Sequence, residues 1–224
     1  PINWQDYTYR TAVAQRYFFS ISGRPKTLSY NFSLGYSNTP GLIKTTGTQR
    51  YTIRLNVRKY FGKKAVVGAR LSLAYIDSDM MQGSSGYKQT ASTGIVRSLL
   101  TSRPFMSNHT DLSDLDSVDA AEEEELDRNT PKRWFEGSSN TREDFDVTPN
   151  LFFQYKILPW LTYELSAGAN YTYSDRTKFK SPSLTSSGTT GATTQTVYAE
   201  SNRWNVDNLL MFDKKIRKHN ISGT

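Results

Sequence analysis

Oily and polar residues alternate with a period of two in run after run of this chain, and that fixes the local conformation. From Leu28 one set of positions reads Leu28, Tyr30, Phe32, Leu34 and Tyr36, and the intervening set reads Ser29, Asn31, Ser33, Gly35 and Ser37. Successive side chains of an extended strand point to opposite faces, so this spacing builds one apolar and one polar face. The next run inverts the parity, setting Tyr51, Ile53, Leu55 and Val57 against Thr52, Arg54, Asn56 and Arg58. A third sets Val67, Ala69, Leu71, Leu73 and Tyr75 against Gly68, Arg70, Ser72 and Ala74. Looser alternation follows at Val147 to Tyr155, Tyr163 to Tyr173 and Trp204 to Phe212. With Tyr17, Phe19 and Ile21 ahead of these and a strand opening near His219, about eight strands are expected.

The connections alternate in length. Short ones fall at Gly23–Lys26, Phe61–Lys64, Ile157–Trp160 and Asp213–Lys218, and long ones at Asn38–Gln49, Asp77–Asp144 and Asp175–Ser201. Membrane β-barrels have this asymmetry, with short turns on one rim, long loops on the other, and strands that are apolar outside and polar inside. Alternation alone leaves open whether the oily face meets lipid or a packed protein interior. Aromatic placement speaks for lipid. Tyr60, Phe61, Tyr155 and Trp160 flank short turns, while Tyr36, Tyr51, Tyr75, Tyr171 and Tyr173 lie at the other strand ends, as two interfacial girdles would. The competing explanation is the ordinary strand propensity of Tyr and Phe.

Composition removes several classes. No apolar run approaches the roughly 20 residues of a helical membrane span. The 14 Tyr, 11 Phe and 4 Trp among 224 residues are too many for a disordered chain. Cysteine is absent, which excludes disulfides, thiolate metal sites and a cysteine nucleophile. The opening at Pro1 shows no basic and apolar leader, so any signal peptide is expected outside this sequence. Net charge is +7, yet Asp111–Asp127 holds nine acidic residues and no basic one, so the rest is strongly basic. Lys and Arg are scattered along the alternating runs rather than clustered, which argues against nucleic acid.

Within the long connection from Asp77, the stretch Ser92–Leu100 places Ile95, Val96, Leu99 and Leu100 at helical spacing, with Thr93 as a cap and Pro104 forbidding continuation. Asp111–Asp127 reads as a solvated acidic excursion, helical in part at Ala120–Leu126, and Thr185–Thr196 as a Ser/Thr/Gly-rich loop.

Catalytic constellations are missing, so no enzyme activity is expected. The two histidines, His109 and His219, are far apart and in no metal-ligand spacing, and Gly62-Lys63-Lys64 is a hairpin turn without the upstream glycine of a phosphate loop. The acidic run lacks the glycine and spacing of a calcium loop. No cofactor or metal is expected. Parity instead directs Asn31, Arg54, Asn56, Arg58, Arg70, Glu164 and Asn170 to the polar face, which in a barrel is the lumen. Such charges set solute selectivity or form salt bridges to a plug and to neighbouring strands. For solute contact the loops offer Arg103, His109, Trp134 and Phe135, with Trp134 the best aromatic platform for a sugar.

Particular words in the sequence add to the pattern. Trp4-Gln5-Asp6, Arg10-Thr11-Ala12, Gln15, Ser22-Gly23, Ser33-Leu34-Gly35-Tyr36, Gly41-Leu42-Ile43-Lys44, Arg50-Tyr51-Thr52 and Arg54-Leu55-Asn56 resemble the stretch where SusC/RagA-family TonB-linked outer-membrane transporters leave the plug and enter the barrel. Trp204-Asn205, Asp213-Lys214 and Lys218-His219-Asn220 resemble a later strand pair of the same barrel. The likeness runs end to end but is specific only in the first 76 residues, and Asp77–Asp144 does not share it. It implies an all-β, antiparallel up-and-down transmembrane barrel of 22 strands, of which residues 1–224 supply about eight, with 77–144 and 175–201 as extracellular loops. It also implies import of oligosaccharides or peptides across the outer membrane of a Gram-negative, Bacteroidetes-like cell. The implied partners are a SusD-like surface lipoprotein, the TonB complex acting through N-terminal parts not present here, and outer-membrane lipid. Two other readings stay open: a complete eight-stranded structural or adhesion barrel, in which the segment near Tyr17 pairs with that near His219, and a soluble β-sandwich binding module.

Overall fold

In a computed structural model, which describes residues 2–81, 95–102, 130–184, 191–216 and 219–224, each alternating run forms a strand. The strands are β1 (Gln15–Gly23), β2 (Leu28–Pro40), β3 (Gly47–Phe61), β4 (Ala65–Asp79), β5 (Ser138–Leu158), β6 (Leu161–Lys180), β7 (Thr193–Ile216) and β8 (His219–Gly223). They pair in sequence order as one antiparallel eight-stranded sheet. β1 and β8 do not pair, and no second sheet lies over either face among the described residues, so these strands form neither a closed eight-stranded barrel nor a sandwich. They form an open stretch of barrel wall.

Strands overrun the limits that periodicity sets. Paired residues continue through Asp79 in β4, from Ser138 in β5, to Lys180 in β6 and from Thr193 in β7. The connections read as 38–49, 77–144 and 175–201 therefore shrink to 41–46, 80–137 and 181–192. Beyond the outer aromatic residues both faces are polar, as in Thr141-Arg142-Glu143, so pairing persists where the alternation that advertised it has ended.

Two residues shape the ladder. Gly62, at φ +60°, turns β3 into β4 in a conformation that a side chain disfavours. Pro149 has no N–H to donate, and the β5–β6 pairing lapses at Thr148–Pro149, where Asn170 Nδ2 donates to Thr148 Oγ1 at 2.9 Å instead.

Among the described residues, three short helices gather at the end of the sheet with the longer connections: α1 (Trp4–Thr8), α2 (Ile95–Thr101) and α3 (Pro131–Gly137), with a 3-10 turn at Pro182–Leu184. α2 is the helix expected at Ser92–Leu100, and it buries Ile95 and Leu99, one turn apart. The acidic stretch Asp111–Asp127 and the helix expected at Ala120–Leu126 lie outside the described residues. α1 is capped by Asn3, whose side-chain oxygen accepts from the Gln5 N–H at 3.1 Å. α3 begins on a proline, which needs no donor there.

Ile95, Trp134 and Leu184 form a buried cluster, flanked by Ile43 and Phe135. Of the buried apolar residues among the described ones, only Ala74 belongs to the sheet. The sheet has no core of its own, and its oily face is bare: Phe19 is 58% exposed, Leu151 61% and Trp204 79%.

Candidate functional site

Strand register decides what the polar face presents. Ser22, Asn31, Asn56, Arg70, Asn150, Gly168 and Asn205 stand opposite one another in a continuous row across β1 to β7. Arg54 and Asn170 lie on the neighbouring row on one side, Arg58 on the row on the other side, and Glu164 one row beyond Arg58. All seven polar residues picked out by parity thus share one face. Asn31 donates to Ser20 Oγ at 3.3 Å, and Thr172 to Asp146 Oδ1 at 2.7 Å. The guanidiniums of Arg58 and Arg70 lie 5.6 and 5.1 Å from the centroid of the Phe152 ring, which is laid down over Gly68.

Charge on this face is divided. β1 to β4 present Arg16, Arg50, Arg54, Arg58 and Arg70 and no carboxylate, whereas β5 to β7 mix Asp144, Asp146, Glu164 and Asp207 with basic residues. Arg142 Nε bonds Asp144 Oδ1 at 2.9 Å.

On the opposite face the aromatic residues form ranks. Tyr17, Tyr36, Tyr51, Tyr75, Phe145 and Tyr173 lie directly across from one another on six consecutive strands, and the first four contact their neighbours at centroid distances of 4.9–6.3 Å. Phe61, Tyr155 and Tyr163 form a second rank, interrupted by Ala65. Two assignments change. Tyr60 belongs to the polar face, where Arg24 lies over its ring at 5.8 Å, and Tyr171 stands one step inside the outer rank. A strand end does not fix the face, because neighbouring residues take opposite ones.

At the loop end, α1 is tied to the 41–46 connection. Arg10 donates to the carbonyls of Gly41 at 3.1 Å and Thr46 at 2.9 Å, and Lys44 Nζ to the Asp6 carbonyl at 2.8 Å. Tyr7 packs on Phe135 at 5.8 Å, and its hydroxyl pKa is raised, first by burial and then by the Glu136 carboxylate. Beside these residues lies a chamber of about 570 Å³ whose lining includes Arg10, Lys44, Asp77, Asp79, Trp134 and Asn140. Asn140 is held from two sides, donating to the Met81 carbonyl at 3.1 Å and accepting from Arg176 Nε at 3.0 Å.

The structure brings Trp134 and Phe135 together at this chamber, while Arg103 and His109 lie outside the described residues. Trp134, expected as a sugar platform, is 3% exposed, packed with Ile95 and Leu184, and Lys180 Nζ lies 5.6 Å from its ring centroid. Its Nε1 has no hydrogen-bond partner among the described residues. Sequence reasoning gave no site role to Arg10, Lys44 or Asn140. Only the Arg10-Thr11-Ala12 and Gly41-Leu42-Ile43-Lys44 words hinted at the first two. Among the described residues no group of three acidic or histidine side chains could hold a metal. The arrangement suits hydrogen bonding and charge recognition.

Comparison with known proteins bears on what such a wall belongs to. No protein-family model matches the chain. It is 33% identical over 107 residues to the TonB-dependent receptor SusC of Bacteroides thetaiotaomicron, covering 47% of this chain and 10% of that protein. To the TonB-dependent receptor P26 of Formosa agariphila it is 32% identical over 91 residues, covering 41% and 9%. The RagAB peptide importer superposes in its open-open state over 98% of this chain and 24% of that one, with a TM-score of 0.74 and 19% identity. In its closed-closed state the TM-score is 0.72 at 20% identity. The chain is similar to SusC-type TonB-dependent receptors and shares the fold of a stretch of the RagAB barrel. It spans about a tenth of the curated relatives it matches, and those relatives are named as receptors and not as enzymes.

Proposed function

We propose that this region supplies part of the wall and one rim of an outer-membrane transporter that imports oligosaccharides or peptides. The observation that carries the reading is the uncovered oily face bounded by two aromatic ranks. On β3 they are ten residues apart, Tyr51 to Phe61, which at about 3.4 Å per residue and a tilt of about 40° corresponds to roughly 25 Å, the height of a membrane barrel's apolar band. Water would not tolerate so much contiguous apolar surface. Both free sheet edges then pair with further strands, since lipid offers no partners for open backbone. Asn31, Arg54, Asn56, Arg58, Arg70, Glu164 and Asn170 face the lumen, and 80–137 and 181–192 lie on the extracellular side with the chamber near Phe135. Import is energised through TonB, and a SusD-like lipoprotein covers the loop end, a reading supported by the likeness to the TonB-dependent receptor SusC and to the RagAB peptide importer.

Nitroxide labels at Leu34, Leu55 and Leu165 in the whole transporter test the reading. Accessibility to a membrane-dissolved quencher at all three, with labels at Asn31 and Asn56 shielded from it, is the expected result. Labels surrounded by side chains at the three leucines overturn it.

A further inference from the structure

We infer that the polar face of β1 to β3 holds an anion-recognition site for an oligosaccharide bearing carboxylate or sulfate groups, an inference that rests on the transporter reading above. Arg16, Arg50 and Arg54 line a hollow of about 360 Å³ together with Phe18, Gly35 and Thr52. Arg16 and Arg50 flank Ser37 on neighbouring strands, so their backbones stand about 10 Å apart, and Arg54 lies about 13 Å along β3 from Arg50. Their side chains reach the same small volume from three sides. None of the three guanidiniums makes a hydrogen bond or ion pair with any described residue, whereas Arg142 is paired with Asp144 and Arg176 with Asn140.

Among the described residues no carboxylate occupies this face of β1 to β4, and Asp77 and Asp79 belong to the other face. Three guanidiniums around one hollow repel each other, and a ligand with several anionic groups removes that repulsion. Each guanidinium fork matches a carboxylate or sulfate with two parallel hydrogen bonds. The choice of a sugar follows from Phe18, which is 70% exposed on an otherwise polar strand face and presents its ring beside the arginines. Gly35 keeps the floor low, since a Cβ there would run into Thr52 Oγ1 and touch the Phe18 ring. Arg50 adjoins Tyr51 of the outer aromatic rank, so the hollow lies at the loop-side mouth of the lumen, where an incoming solute arrives first.

Isothermal titration of the full-length transporter in detergent decides the matter, with trigalacturonate, a sulfated chondroitin tetrasaccharide, neutral galactotriose and tetraglutamate as probes. At least one acidic sugar should bind ten-fold or more tighter than galactotriose in 50 mM salt, with the gap closing toward 500 mM. The carboxylated and sulfated arms show which anion is preferred. In the Arg16→Gln, Arg50→Gln, Arg54→Gln triple variant the gap should vanish, and Phe18→Ala should weaken acidic and neutral sugars together. Equal binding of acidic and neutral sugars, no binding of either acidic sugar, a gap that survives in the triple variant, or tetraglutamate binding best overturns the site. A triple variant that loses stability but no binding assigns the arginines to contacts within the barrel and likewise overturns it. Heat-modifiable gel mobility and quencher access are read on the same samples, so failure to insert into a membrane marks failure of the transporter reading instead.

Discussion

Placing arginine at Leu55 isolates the solvent of the oily face. Leu55 lies four residues from Tyr51 and six from Phe61 along β3, between Leu34's neighbour Phe32 on β2 and Leu71 on β4. With about 3.4 Å per residue and a tilt near 40°, its Cα sits about 10 Å inside the outer aromatic rank, close to the middle of a 25 Å band. Arginine on the lipid face costs about 2–4 kcal/mol at that depth and about 0–1 kcal/mol near an interface. Leu55→Arg should therefore lower the folded-to-unfolded ratio roughly 30- to 700-fold, against at most about five-fold for Tyr51→Arg. Asn56→Arg is the control: it is one residue away but faces the polar side, and although it stands across from Arg70 and between Arg54 and Arg58, like-charge repulsion there should cost at most about 1 kcal/mol. Guanidinium unfolding of the whole transporter in phospholipid vesicles, followed by gel mobility, reads the ratios as shifts in midpoint at constant slope. Equal losses at Leu55 and Asn56, or a penalty at Tyr51 matching that at Leu55, would refute lipid as the partner of this face.

Gly68→Val should cost about 1–3 kcal/mol, because the new side chain runs into the Phe152 ring and displaces it from Arg58 and Arg70; thermal unfolding checks this, and an unchanged midpoint contradicts the packing described. Trp134→Ala should cost the loop-end cluster about 3–5 kcal/mol while leaving the sheet's gel mobility unaltered, so limited proteolysis should accelerate near α3 with the wall intact. Tyr7 has its pKa raised above the ordinary 10.0, so its contribution to the α1–α3 contact is fully present below pH 10 and is lost as pH climbs through the raised value. Fluorescence of Trp4, whose ring meets Tyr7 edge-on at 5.7 Å, should report that alkaline loosening, and Tyr7→Phe should remove it.

Strands were legible where their two faces meet different surroundings. Between Tyr51 and Phe61 each residue is sorted to one face or the other, and Leu55 and Asn56 declare opposite sides without any knowledge of their partners. Past the aromatic rank both faces meet polar surroundings, so Ser138–Glu143 and Thr193–Ala199 showed no period although they are fully paired. The enclosure of Trp134 was hidden for another reason: a tryptophan in a polar connection looks available, and only the approach of Ile95 and Leu184, far off in sequence, encloses it. The arginines were visible singly. That Arg16 and Arg50 flank one serine depends on the register of β1 on β2, which no single strand encodes.

The overrun of the strands matters for whatever meets this surface. From Tyr173 to Lys180, β6 stays paired for seven residues outside the aromatic rank, a rise of about 17 Å at the usual tilt. In the proposed membrane placement the wall would continue as a ribbed collar above the headgroups, with the connections springing from its crest. Antibodies raised against an inserted tag near Gly191 would find their epitope held well clear of the surrounding lipid sugars, whereas a tag beside Gly62 would stay hidden in intact cells.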